Sequence, residues 1–311
     1  MSPTLGWYGL GSMGLGMASN LQKHLQSQNL SALHYSNRTL SRGNSLKELG
    51  AIPEDDFESV VKKADIIFTM ISDDAVLDEI ISKATSVDSV TGKIFVDTST
   101  VHPDTAASAS AKLAQHGAVF ISSPVFGASA VAAAGKLIFV MAGPANALEI
   151  ARPYIIDVMG RSIISMGEDV RKSSLLKISG NIIVISLMQT LSETHVFAER
   201  TGLGTAQIEQ FISDMFGPVL ESYSKRITTG AYAPPRGTPP GFAARLASKD
   251  TGHALAIAKE HNVRLGSVEM ALGRLERARE YAGEELDSSA MYGIARMEAG
   301  MSFWSENSRQ E

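Results

Sequence analysis

The chain has 311 residues, 44% of them hydrophobic and 20% charged, with a formal net charge of −5 and no cysteine. That length exceeds what one hydrophobic core usually serves and points to two domains, while the composition excludes a disordered or fibrous chain. Without cysteine there is neither a disulfide framework nor a thiolate metal site, and no Lys/Arg run exceeds two residues, so nothing marks a nucleic-acid partner.

In chain order, residues 5–8 read as a short apolar strand. Residues 9–14, GLGSMG, then set Gly9, Gly11 and Gly14 in G-x-G-x-x-G spacing ahead of a helical run, MGLGMASNLQKHL. A strand, a tight glycine turn and a helix N-terminus can cradle a dinucleotide pyrophosphate, because backbone N–H groups and the helix dipole both face the anion. Gly9 would make the turn, Gly11 would admit the phosphate to the backbone, and Gly14 would let helix and strand pack closely. Leu10, Ser12 and Met13 complete this expected cofactor-binding turn.

A second strand over 32–35 leads into Asn37, Arg38 and Thr39. Sites for NAD usually place an acidic residue here to accept from the adenosine ribose hydroxyls. A neutral amide, a guanidinium and a hydroxyl suit a 2′-phosphate instead, so NADP(H) is the expected cofactor.

Further strand-like runs at 66–71, 93–96, 118–121, 137–141 and 162–165 alternate with helical stretches, the pattern of βαβ units. The expected fold class is α/β: an N-terminal Rossmann domain with a doubly wound parallel sheet, residues 1–168, followed by an all-α C-terminal domain, residues 169–311. A proline-free stretch from 172 to 202 predicts one interdomain helix of about 45 Å. Later helices are predicted at 206–215, 218–228, 244–261, 268–282 and 288–299. Between them, GAYAPPRGTPPGF over 230–242 holds four prolines and three glycines and reads as a loop, either a connector or an active-site flap. No unbroken apolar stretch reaches about 18 residues and no signal-peptide pattern opens the chain, so neither a membrane partner nor export is expected, and the location read from these features is cytoplasmic. The seven histidines show no metal-ligand spacing, and no metal is expected.

Several ordered segments resemble the β-hydroxyacid dehydrogenase family, which includes 3-hydroxyisobutyrate dehydrogenase and the glyoxylate/succinic semialdehyde reductases and extends to 6-phosphogluconate dehydrogenase and the imine reductases. GLGSMGLGMASNL resembles its cofactor signature and DTSTVHP from Asp97 its D-x-S-T-x-x-P segment. SSPVFGASAVAAAGKL from Ser122 stands where the family has D-A-P-V-S-G-G. Lys177-Ile-Ser-Gly-Asn181 resembles K-x-x-x-N, and Lys249-Asp250 the K-D pair. The resemblance implies that Met70, Ile71, Thr100 and Lys249 lie near the cofactor, that Ser99, Phe126, Gly127, Ala128 and Asp250 lie near a small-molecule substrate, and that the chain pairs as a homodimer through the long helix.

Lys177 and Asn181, four residues apart, project from one helical face. Reduction of a carbonyl leaves an oxyanion needing a proton or a positive partner, and a lysine supplies both. Lys177 is therefore the expected general acid/base, with Asn181 orienting the substrate, in an NADPH-dependent oxidoreductase that interconverts an aldehyde or keto compound, in the family an acid, with its hydroxy form. Two departures qualify this. Phe126 stands where the family has a carboxylate-binding serine, and a phenyl ring cannot donate to a carboxylate. Arg171 and Ser173 replace glycines ahead of the lysine. An imine or enamine reductase, and a non-catalytic NADPH-binding interaction module, are the alternatives. Amine formation from a ketone plus an amine marks the first, and cofactor binding without turnover the second.

Overall fold

The computed structural model describes residues 2–310. The first half builds a parallel sheet from β1 (Leu5–Tyr8), β2 (His34–Ser36), β3 (Ile52–Pro53), β4 (Ile66–Thr69), β5 (Ile94–Asp97) and β6 (Val119–Ser122), in the order β3-β2-β1-β4-β5-β6. The chain winds outward from β1 to β3 and returns to the other side of β1 at β4, so the direction of winding reverses beyond the carboxyl ends of β1 and β4. Open α/β sheets bind ligands at such a reversal.

The strands are short runs of apolar residues buried on both faces, as a parallel sheet covered by helices requires. Every residue of β4 and of β5 is buried. One face carries Trp7, Phe68 and Val96 against α1 (Ser12–Ser27), whose Met17, Leu21 and Leu25 recur at helical spacing. The other face carries Ile67, Phe95 and Phe120 under α3 (Phe57–Lys63), α4 (Asp74–Thr85) and α5 (Pro103–Gln115). A short helix α2 (Asn44–Glu48) follows a 3₁₀ turn, Leu40–Gly43. Asp56 and Asp73 cap α3 and α4 by accepting from the N–H groups of Ser59 and Val76.

A second, three-stranded sheet follows: β7 (Val125–Phe126), β8 (Leu137–Met141) and β9 (Gly160–Ser165), with β7 antiparallel to β8 and β8 parallel to β9. The sequence pattern misses β3 and β7. Each has two residues, too few for a period of two to be visible, and Pro53 cannot donate to a ladder. Two further helices, α6 (Ser129–Ala133) and α7 (Ala145–Ala151), complete this half.

The long helix α8 runs from Val170 to Thr201, within two residues of the predicted span. By length and composition it could cross a membrane, a test that the core helix of a soluble protein passes as well. The chain divides into two compact units, Met1–Lys177 and Ile178–Glu311, at a boundary inside this helix.

The second unit contains the rest of α8 with α9 (Thr205–Thr228), α10 (Ala244–Glu260), α11 (Gly266–Ala282) and α12 (Met291–Glu298). The two helices predicted at 206–215 and 218–228 are one element broken at Gly217, where φ is 74° ahead of Pro218, which has no N–H to continue the ladder. Its core gathers Ile185, Met188, Leu191, Leu275, Met291 and Phe303, with Ala244, Ala247, Ala271 and Ala278 keeping the facing side chains of α10 and α11 small. Residues 230–242 are irregular, as expected, but their start is anchored. Tyr232 is fully buried, donates to the Phe303 carbonyl and accepts from the Ser305 N–H. The segment from Pro235 to Pro239 is exposed throughout.

Candidate active site

Beyond β1 the backbone turns through Gly9 at φ +98°, a conformation open to glycine, and a Cβ there would lie 2.1 Å from the Met70 carbonyl oxygen. Gly14, in the first turn of α1, packs so closely on this loop that a Cβ would lie 2.0 Å from the Gly9 carbonyl oxygen. That carbonyl also accepts from the Trp7 indole N–H at 2.9 Å. At Gly11, by contrast, a Cβ would meet nothing within 4 Å. The loop is thus tight beneath and open above. With no acidic residue in the first turn of α1 and no side-chain cap at Gly11, the exposed face suits an anion. These residues fit a dinucleotide pyrophosphate.

The Asn37 side-chain oxygen accepts from the Leu10 N–H at 2.8 Å, and its amide donates to the Thr39 carbonyl, joining the glycine turn to the end of β2. Leu10 itself is 2% exposed, its side chain a buried anchor for the turn. Arg38 and Thr39 are exposed beside it. Arg42 lies exposed in the following 3₁₀ turn, its N–H on the Thr39 carbonyl. This second guanidinium was missed by sequence reasoning; its spacing of four from Arg38 is the signal that could have found it.

The ends of β4 and β5 are tied together by Asp97, 1% exposed, whose Oδ1 accepts from Thr69 Oγ1 and Ser99 Oγ, each at 2.7 Å. Ser99 Oγ in turn accepts from the Ile71 N–H at 2.8 Å. The Ser99 hydroxyl, expected at the substrate, is therefore engaged inside the protein and fixes the loops that carry Met70, Ile71 and Thr100. Asp97 received no role from the sequence. The clue to it was an acid at the end of an otherwise apolar strand.

On β7 Phe126 is partly exposed, and the Lys177 ammonium stands 4.5 Å from its ring centroid. The two segments that depart from the family pattern are joined by one hydrogen bond. Ser173 Oγ, on the first turn of α8, lies 2.7 Å from Ser122 Oγ at the end of β6 and 2.9 Å from the Val170 carbonyl. Arg171 pairs with Asp104 at 3.2 Å. Gly127 and Ala128 continue the strand into α6, Gly127 exposed and Ala128 half-buried.

In the second unit Asn181, 5% exposed, donates from Nδ2 to Asp250 Oδ2 at 2.6 Å, and Lys249 Nζ lies 3.2 Å from Asp250 Oδ1. The K-D pair is not a surface feature, since Asp250 is 3% exposed. Three residues drawn from two separate motifs thus form one polar cluster. Among the described residues no group of three or more His, Asp or Glu could hold a metal.

Residues 4–167 match the family described as the NAD binding domain of 6-phosphogluconate dehydrogenase, and residues 172–295 match the NAD-binding domain of NADP-dependent 3-hydroxyisobutyrate dehydrogenase. The NADH-dependent oxidoreductase ucdB of Aspergillus ustus is 28% identical, covering 94% of this chain and 98% of its own. Glyoxylate/succinic semialdehyde reductase 1 of Arabidopsis thaliana is 29% identical, covering 92% and 96%. The structure of Mycobacterium tuberculosis 3-hydroxyisobutyrate dehydrogenase has the same fold, with a TM-score of 0.77, 22% identity and coverage of 95% and 100%. Its paired domains, glycine cradle and ordered motifs accordingly place the chain in the β-hydroxyacid dehydrogenase family of NAD(P)-dependent oxidoreductases.

Proposed function

We propose that the protein is an NADPH-dependent reductase that interconverts an aldehyde or keto compound and its hydroxy form, with Lys177 as general acid/base. The observation that carries this reading is the Lys177 ammonium, held over the Phe126 ring just after the strand system whose glycine turn fits a dinucleotide. A bound nicotinamide dinucleotide supplies the hydride. The chain's own residues do the rest. Lys177 Nζ delivers its proton to the carbonyl oxygen as negative charge develops there, and takes a proton from the hydroxyl in the reverse direction. Asn181, its amide pinned by Asp250, orients that oxygen from one helical turn along α8. Arg38 and Thr39, at the end of a strand that has no acid there, receive the 2′-phosphate. Names among the relatives include an NADH-dependent enzyme, so the preference for NADPH rests on these side chains.

Replacing Lys177 by Ala tests the assignment. Turnover is expected to fall by about 10²- to 10⁴-fold with dinucleotide affinity kept, and an active variant refutes the role. Amine formation from a ketone plus an amine, in the absence of carbonyl reduction, would replace this reading with imine reduction. Binding of NADPH without turnover of any carbonyl or imine would favour a binding module.

A homodimer in the cytoplasm belongs to the same proposal. Its support is a set of large apolar side chains left uncovered on the second unit: Ile183 and Phe197 on α8, and Phe211, Met215, Phe216 and Val219 on α9, each more than half exposed. Light scattering tests it.

A further inference from the structure

Several polar side chains that the motifs of the first unit supply are engaged inside the protein, and the Ser123 and Ser174 hydroxyls, which have no such partner, are buried. Ser122 and Ser173, 1% and 0% exposed, are joined by the 2.7 Å contact between their hydroxyls. The Ser99 hydroxyl donates to Asp97 and accepts from the Ile71 N–H. Arg171, about half exposed, pairs at the surface with Asp104. A carboxylate brought out of water needs several donors to replace its hydration, and bidentate guanidinium or paired hydroxyl contacts are the usual providers. Beside the ammonium this site offers the surface of an aromatic ring. Ring faces attract cations and cover apolar groups, and they repel anions.

We propose that the substrate is a neutral aldehyde or ketone with an apolar flank beside the carbonyl and no carboxylate there, and that Phe126 is a positioning residue, its ring holding the Lys177 ammonium while covering that flank. The inference rests on the reading of Lys177 as proton donor. It gives the departure at position 126 a purpose: the ring sets the class of substrate and the stance of the acid together.

The test uses the full chain with NADPH and four probes, phenylacetaldehyde and 3-methylbutanal as neutral carbonyls and succinic semialdehyde and glyoxylate as acids. Wild type is compared with Phe126→Tyr, Phe126→Leu and Phe126→Ser. Thermal midpoints and dinucleotide affinity establish that each variant is folded. Wild type is expected to favour the neutral probes by at least about tenfold in kcat/KM. Phe126→Leu, which keeps apolar cover but loses the ring, is expected to hold KM for neutral probes near wild type while kcat falls by about two- to thirtyfold, and Phe126→Tyr to restore kcat. Phe126→Ser is expected to raise KM for neutral probes and lower it for succinic semialdehyde. A preference below tenfold or toward the acids, or a Leu variant with wild-type kcat, overturns the inference and leaves carbonyl reduction standing. Turnover of none of the four overturns both.

Discussion

Alanine at Gly14 and alanine at Gly11 place the same methyl group three residues apart and are expected to fail in different ways. At position 14 the new Cβ would fall 2.0 Å from the Gly9 carbonyl oxygen and 3.1 Å from its carbon, both backbone atoms, so no side chain can rotate aside. Relief requires moving Gly9, which is held by φ +98° and by the buried hydrogen bond from Trp7. Overpacking of this kind costs about 1 to 3 kcal/mol, and losing the buried bond about 1 to 3 more. For a unit of this size that corresponds to a fall of roughly 4 to 24 °C in the unfolding midpoint. At Gly11, φ is −72° and ψ −174°, an ordinary extended conformation for alanine, and nothing lies within 4 Å. Its midpoint is expected to stay within about 2 °C. The methyl would instead occupy the space a pyrophosphate needs. Losing one charge-assisted hydrogen bond there, about 1.5 to 3 kcal/mol, weakens dinucleotide binding by about 10- to 150-fold. Scanning calorimetry and titration calorimetry read the two quantities separately. A Gly11→Ala protein that binds like wild type, or one as unstable as Gly14→Ala, refutes the reasoning.

Arg38→Ala is expected to weaken NADPH by at least about tenfold while leaving NADH nearly unchanged; equal losses in fluorescence titrations would place the phosphate contact elsewhere. Asp97→Asn turns a buried double acceptor into a group that also brings donors, and is expected to cost about 1 to 3 kcal/mol in denaturant melts, with none of that loss if the network is incidental. Burial holds the His195 imidazole below its usual range. The unfolded chain therefore takes up a proton at this site at higher pH than the folded one, and the contribution of His195 is full above about pH 6.5 and lost as pH falls below it, by at most about 1.4 kcal/mol per unit. Urea midpoints between pH 7.5 and 5 check this, and a His195→Gln protein with the same slope would remove His195 as the cause. Phe211→Lys with Phe216→Lys is expected to give a monomer by light scattering if the exposed face of α9 is an interface; an unchanged mass would show that it is not.

Much of the fold was legible because its signals are local. The glycine turn, the alternation of apolar runs with helical stretches and the unbroken helical period of α8 each lie within a window of the sequence, and each was found within a few residues. The two-residue strands were not, since a period cannot be read from two positions. The break at Gly217 was legible as a gap between two helices but not as a kink within one element. The site divides along the same line. Lys177 with Asn181, and Lys249 with Asp250, were visible as spacings. Their partners were not: Asp250 lies 69 residues from Asn181 and Ser122 51 residues from Ser173. Such pairings depend on how distant segments return to one another, and no periodicity encodes them. For the same reason Ser122 and Ser173 were visible as members of two motif segments but not as two halves of one hydrogen bond.

The placement of Trp7 gives this protein a built-in spectroscopic probe. The chain has two tryptophans, and they fall one to each unit: Trp7 lies fully buried beneath the glycine turn, while Trp304 packs on Phe303 in the other unit. Emission from a Trp304→Phe protein would report strain or loosening of the nucleotide loop alone, and energy transfer from Trp7 to a reduced nicotinamide would follow occupancy of that loop in real time, without a label.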